Sequence, residues 1–341
     1  MSLEDTFRPP PRTLVMPQTL ARSSLRDTGN KLPLVVEALH DTVDLAAYIR
    51  NHREDLLSQL RIHGGILFKK FRMANPDEFS AAATALGFPL LPYAERTSPR
   101  IELRPHVYTS TEHPADQIIH FHNANSYSHR WPSYIWFGSL TAAAEGGHTP
   151  LADCRTVHDL IDPAVRSEFE RRHVTYLRNF HPNIGLSWKV AYQTEDPEVV
   201  RRYCEAAGSQ IEYFEGDRLR VRQTRRAVQV HPVTGERVWF NQAHLYNIAS
   251  GFEPQLARTF LNTFDEVDLP RNSYFGDGGK IDPAMLAHIV DCYDRAKVSE
   301  PWQEGDFLIL DNMLVAHARS KYKGKRLTVV AFAELHEGPR P

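Results

Sequence analysis

The chain has 341 residues, 42% hydrophobic, 24% charged and 10% aromatic, long enough to bury about three quarters of its unfolded surface without disulfide staples. With 40 Lys+Arg against 42 Asp+Glu the net charge is −2, too weak a field to gather a phosphate backbone, so no nucleic-acid partner is expected. No apolar run reaches the ~18 residues that cross a bilayer, and the start MSLEDTFRPPPRTL has acids and prolines where a secretory signal is apolar, so a cytoplasmic protein with no membrane partner is expected.

Residues 1–32 carry Pro9, Pro10, Pro11 and Pro17 with few apolar clusters and read as a flexible N-terminal arm. Residues 33–341 read as one domain, because no Pro/Gly/Ser-rich linker divides them. From Asp41, the apolar positions Leu45, Tyr48, Ile49, Leu56, Leu57 and Leu60 recur at helical spacing, with Asp41 or Thr42 as N-cap. The strand Gly65 to Phe68 follows. Asn75-Pro76 and Asp282-Pro283 each place a capping side chain before a proline at the first helical position, predicting two more helices.

Short β-like runs occupy Tyr134 to Phe137, Val174 to Leu177, Arg237 to Phe240, Phe307 to Leu310 and Arg326 to Phe332. The βαβ alternation of a parallel sheet is missing, so the chain is mainly β with helical inserts, an antiparallel double-sheet barrel of the jelly-roll kind. The basic pairs Arg171-Arg172, Arg201-Arg202 and Arg225-Arg226 read as solvated helix faces. Cys154, Cys204 and Cys292 lack metal or disulfide spacing and read as buried thiols.

Seventeen histidines are too many for each to carry function, so position must choose. In His120-Phe121-His122-Asn123-Ala124-Asn125-Ser126-Tyr127, strand alternation puts His120, His122 and Ala124 on one face. A second cluster, Asp311 to Arg319, carries His317, and Arg326 follows nine residues later. A histidine and an arginine on neighbouring strands suit a metal and a dicarboxylate. A buried structural histidine is the competing reading, and composition does not choose between them.

The stretches HNANSYSHRWP (122–132), GGHTPLADCR (146–155), LRNFH (177–181), HPVTGERVWFNQAHLYN (231–247), LPRNSYFGDG (269–278), PWQEGDFLILDNMLVAHAR (301–319) and GKRL (324–327) resemble, in order and spacing, the SyrP-like branch of the TauD/TfdA-like family of non-haem Fe(II)/2-oxoglutarate enzymes. The resemblance implies a double-stranded β-helix holding iron at one open end, with dioxygen and 2-oxoglutarate as co-substrates. It implies His122 and His317 as the imidazole ligands, Arg326 on the distal carboxylate of 2-oxoglutarate, and Thr149 as a second contact to that co-substrate.

One departure bears on the reaction. The family pattern at the first motif is His-x-Glu or His-x-Asp, and this chain has Ala124 at the carboxylate position. A methyl group binds no iron, and Asn123 and Asn125 are one residue off, on the other face. Loss of an anionic ligand leaves a coordination position that chloride would fill. His-x-Ala resembles the radical halogenases, so halogenation of an aliphatic C–H bond is the favoured expectation. Three other readings stay open: a hydroxylase with water in that position, a third imidazole from His148 or His120, and an inactivated or non-catalytic binding protein.

The resemblance implies an amino-acid-like small-molecule substrate, free or tethered to a carrier protein. Arg220, Arg222, Arg225 and Arg226, with Asn241 and Gln242, offer donors for its carboxylate, against the plain reading of a basic surface strand. Asn123 and Tyr127 lie beside the ligand motif, where a hydrogen bond would orient His122 or the substrate.

Overall fold

The computed structural model describes residues 20–25, 31–111 and 113–339. Its main sheet has eight strands, in the order Ala21–Ser24, Leu34–Ala38, Gly65–Lys69, Phe307–Asp311, Arg130–Thr141, Leu327–Glu337, Val107–Thr109 and Glu102–Arg104. All neighbours pair antiparallel except Leu34–Ala38 with Gly65–Lys69. Of the expected arm, residues 1–19 and 26–30 lie outside the described residues; Ala21–Ser24 is the edge strand of this sheet, in register with Val35 to Ala38.

Alternation along the central strands builds two cores. Ile135, Phe137, Leu308, Leu310, Val330 and Phe332 point to one side, and Tyr134, Trp136, Phe307, Ile309, Val329 and Ala331 to the other. The second side is covered by the helices Leu45–Asn51, Arg53–His63 and Pro76–Thr84 through Ile49, Leu57, Leu60 and Phe79. Burial on both faces is why these strands read as continuous apolar runs rather than alternating ones.

The first side packs against a smaller antiparallel sheet in the order Lys297–Val298, Leu151–Asp153, Val315–Arg319 and Ile119–His122. The two sheets enclose the jelly-roll core, with Leu151, Ala152, Val315 and Ala316 completing it. A further four-stranded sheet, in the order Gln210–Phe214, Arg218–Arg225, Val174–Phe180 and Arg271–Phe275, is the main insert.

Asn75 and Asp282 cap their helices as the sequence predicts, accepting from Asp77 N and Glu78 N at 3.0 Å and from Ala284 N at 2.8 Å. The segment after Asp41 differs. Asp44 is the cap, accepting from Ala47 N at 2.7 Å, and the run divides at His52 into two helices. The reading of Arg225 as a solvated helix residue is corrected: it ends the strand Arg218–Arg225 and is buried, donating to Ser209 Oγ and Gln223 Oε1 at 3.2 Å. The three cysteines are free and buried.

Candidate functional site

The strand Ile119–His122 pairs antiparallel with Val315–Arg319, and the register sets His122 directly opposite His317. Facing side chains in such a pair are close enough to act on one atom. The two rings have centroids 4.4 Å apart and are tilted by 51°. His317 also packs edge-on against Phe137 at 5.0 Å.

Burial pushes His122 down to about 4 and His317 well below the usual imidazole range, so both rings are neutral at pH 7. Neutral imidazole is the form that ligates a metal. The His122 Nδ1–H donates to the His120 carbonyl at 2.8 Å, which turns the Nε2 lone pair away from the strand. A backbone acceptor behind the ring is the arrangement that orients a metal-bound histidine. Nδ1 of His317 is buried without a partner.

A cavity of about 290 Å³ opens over the pair, with Ala124, Phe137, Val330 and Phe332 among its walls. Ala124 sits in a tightly held turn. Its N–H donates to Asn312 Oδ1 at 2.8 Å, and its carbonyl accepts from Asn312 Nδ2 at 2.9 Å. The preceding carbonyl, of Asn123, accepts from Gln242 Nε2 at 2.7 Å. Asn125 follows at φ +56°, a left-handed conformation asparagine tolerates, with its amide donating to Ala94 O at 3.3 Å.

Of the neighbouring asparagines, Asn125 lines the cavity, with its amide nitrogen on Ala94 O, and Asn123 does not. Asn123 is fully buried and donates to Asn312 O at 2.6 Å and Cys154 Sγ at 3.3 Å. Among the described residues, no group of three or more His, Cys, Asp or Glu side chains is placed to hold a metal. Two neutral imidazoles facing each other across paired strands are a donor set that suits a ferrous ion carrying a chelating co-substrate.

The other anticipated residues divide. His120 and Tyr127 line the cavity, Tyr127 with its hydroxyl donating to Glu95 O at 2.7 Å. His148 does not: its ring turns to Ser299 Oγ at 3.2 Å. Asn241 is also outside, because its amide donates to Ala227 O at 2.9 Å and its oxygen accepts from Ala243 N at 3.0 Å. Arg222 and Arg220 lie away from it on the inserted sheet, Arg220 paired with Asp268 at 2.6 Å. Gln242, by contrast, is on the wall.

Neither Thr149 nor Arg326 is in the cavity's lining, and Thr149 lines a separate, smaller pocket with Leu151 and Trp302. Thr149 Oγ1 accepts from Trp302 Nε1 at 2.7 Å; indole only donates, so the threonine proton stays available to an acceptor. Arg326 donates from Nε to Gly147 O at 3.0 Å and lies over Tyr322 at 5.6 Å. The Gly146-Gly147 turn makes this approach feasible. Both have φ near +70° (+68° and +69°), and a Cβ on Gly147 would stand 3.1 Å from Arg326 Cδ.

Sequence reasoning missed Arg100, Arg271 and His113, which also line the cavity. It named Asn312 only as part of a cluster and assigned it no task. Arg100 and His113 fall in none of the motif stretches, and Arg271 and Asn312, which do, carry no ligand signature there; their separate segments meet only in the fold.

The sequence matches the family described as "Taurine catabolism dioxygenase TauD, TfdA family" over residues 28–332. It is 36% identical over 281 residues to the dapdiamide synthesis protein DdaC of Enterobacter agglomerans, covering 82% of this chain and 84% of that one. The fold is similar to that of PvcB from Pseudomonas aeruginosa, with TM-score 0.56, 13% identity and coverage of 94% and 93%. A second PvcB structure, described as an Fe, alpha-ketoglutarate dependent oxygenase from an isonitrile synthetic pathway, gives TM-score 0.54, 14% identity and 93% of both chains.

Proposed function

From the premise that the chain belongs to the TauD, TfdA family of dioxygenases and is an oxidoreductase, we propose that it uses Fe(II) and 2-oxoglutarate to functionalise an aliphatic C–H bond of an amino-acid-like substrate, by halogenation. The SyrP-like motifs and the 36% identity to a dapdiamide synthesis protein support a biosynthetic, amino-acid-related substrate. Bound Fe(II) with 2-oxoglutarate would supply the oxidising power by which dioxygen attacks an unactivated C–H bond.

In this reading His122 and His317 would be the two imidazoles that hold the metal. Arg326 would hold the distal carboxylate of 2-oxoglutarate, an anion that a planar guanidinium is suited to bind. The Thr149 proton, left free by the Trp302 contact, donates to the same co-substrate. Phe137, Val330 and Phe332 form an apolar wall that excludes water from the reacting carbon.

The single observation that carries halogenation is Ala124. It stands where the family has a carboxylate, its turn is pinned by Asn312 and Gln242, and Asn123 is committed elsewhere. In this reading the chain supplies no anion at that ligand position, and a chloride ion would restore the charge. Titrating chloride into the anaerobic Fe(II)–2-oxoglutarate protein tests this. Halogenation requires a saturable change in the visible charge-transfer band and tighter iron binding. Hydroxylation with water in that position predicts indifference to chloride, and absence of the band itself refutes the cofactor assignment.

A further inference from the structure

Two arginines in the cavity lack counter-ions among the described residues. Arg100 lies with its Cζ 4.4 Å from the Tyr93 ring and 5.3 Å from that of Phe332. Its Nη2 donates to Thr111 Oγ1 at 3.2 Å, while Nε and Nη1 are buried without partners. Arg271, from the inserted sheet, lies 4.4 Å over Phe252 and 5.6 Å over Tyr246. One long bond reaches Gly251 O at 3.3 Å, and its Nε is buried and unpaired. Neither guanidinium forms a salt bridge with any described carboxylate.

Burying a cation without an anion is costly, and leaving its donors unbonded adds to the cost. Elsewhere the chain avoids this. Arg155, also largely buried, meets Asp153 at 2.6 Å and Glu236 at 3.0 Å. Arginines kept uncompensated on a cavity wall are the signature of a site that receives its anion from outside.

The distal carboxylate of the co-substrate is assigned above to Arg326, which is not among the residues lining this cavity, so Arg100 is left to receive a second anion. Arg100 instead lines the cavity together with the imidazole pair, His122 and His317.

We propose that Arg100 anchors the carboxylate of the substrate beside the metal-binding histidines, with Arg271 as a second anion-recognising group further out, so that the substrate enters as the free acid and not as an acyl group tethered to a carrier. This rests on the Fe(II)/2-oxoglutarate reading. A carrier-bound substrate has its carboxyl converted to a neutral thioester, which leaves Arg100 as uncompensated as before. A free carboxylate takes the two open donors on Nε and Nη1.

The test is binding to the anaerobic Fe(II)–2-oxoglutarate protein, read by perturbation of the chelate band and by thermal shift. The probes are the twenty amino acids, each matched with its primary amide, which keeps shape and removes charge. The expected result is a saturable response to one or more acids, with the matching amide weaker by about tenfold or more, and loss of that discrimination in Arg100→Met. Arg100→Lys, which keeps the charge, retains part of it. An amide that binds as well as its acid overturns the proposal, and so does a panel in which no acid responds. Loss of the band in Arg100→Met with the band intact in Arg326→Met also overturns it, because Arg100 then serves the co-substrate. A wild-type protein that forms no band at all refutes the underlying cofactor reading instead.

Discussion

Asn312 holds Ala124 by both ends of its backbone: the amide oxygen accepts from Ala124 N at 2.8 Å and the amide nitrogen donates to Ala124 O at 2.9 Å. The same nitrogen reaches Pro132 O at 2.9 Å, and the Asn312 carbonyl accepts from Asn123. One buried side chain thereby fixes the turn after His122 to the strand that starts at Arg130. Asp311, next to it, is held by His231 at 3.0 Å and accepts from Met313 N and Leu314 N, so the clamp itself is rigid.

Asn312→Ala removes three side-chain hydrogen bonds and leaves buried backbone groups unpaired. At roughly 1 kcal/mol per bond, with an added cost for unsatisfied groups, the loss is ~2–4 kcal/mol. Urea unfolding measures it. Because the turn carries His122 into place, Fe(II) affinity should also fall, by about tenfold. Asn312→Asp keeps the acceptor for Ala124 N, loses both donors, and should fall between wild type and Asn312→Ala.

His122→Ala and His317→Ala each leave one imidazole. Fe(II) at a hundred times its dissociation constant should stabilise the wild-type protein by about 2.7 kcal/mol, and either substitution should abolish that gain. Thermal melting with and without Fe(II), under anaerobic conditions, reads the difference. A variant that still gains the full amount would remove that histidine from the ligand set.

Arg326→Lys retains the charge and loses the planar fork. The affinity for 2-oxoglutarate should fall by about ten- to a hundredfold, with iron binding nearly unchanged. Gly147→Ala should act in the same direction without touching the guanidinium, since the new Cβ would lie 3.1 Å from Arg326 Cδ and 3.0 Å from Ala143 Cβ at a φ of +69°. Anaerobic titration of 2-oxoglutarate into the Fe(II) protein measures both.

His244 gives a pH prediction independent of the metal. Its ring reaches Phe121 O at 2.9 Å through Nε2, Nδ1 is buried without a partner, and burial pushes the group down to about 3. In the unfolded chain it titrates near 6.5. Below that pH the unfolded chain binds a proton that the folded chain refuses, so stability present above ~6.5 is lost as pH falls toward the folded value. Between pH ~7 and ~5 the loss from this group is about 2 kcal/mol. His244→Gln in the metal-free protein should flatten the urea stability curve over that window by the same amount, whatever its effect at pH ~7.

Much of this arrangement was legible in the sequence, for a physical reason. Strand period is local, so alternation put His120 and His122 on one face, although the strand ends at His122 and Ala124 lies in the turn beyond it; that His122 meets His317 was implied by the family resemblance and not by any local pattern. Caps at Asn75 and Asp282 are equally local. What sequence did not reveal depends on tertiary proximity. Asn241 has the same amide as a ligand-binding asparagine, yet Ala227 and Ala243 consume it. Arg225 has the composition of a surface basic pair, yet the insert buries it. Arg100 and Arg271 come from a loop and from the inserted sheet, 171 positions apart in the chain, and nothing local announces that they share a cavity.

Ala124→Glu is the decisive change for the reaction. Ala124 is partly buried against the core at the cavity wall, and its turn is fixed, so a side chain added there starts from a defined backbone position. A glutamate carboxylate on the face of His122 and His317 supplies an anionic donor to a hard divalent cation. Iron affinity should rise by about tenfold, and the chloride response of the chelate band should vanish, because protein would then fill the position proposed for the halide. Any halogenated product should disappear, with hydroxylated product or uncoupled succinate release in its place. Retained halogenation in Ala124→Glu would mean that the halide binds elsewhere on the metal, and the link from the alanine to the chemistry would fail.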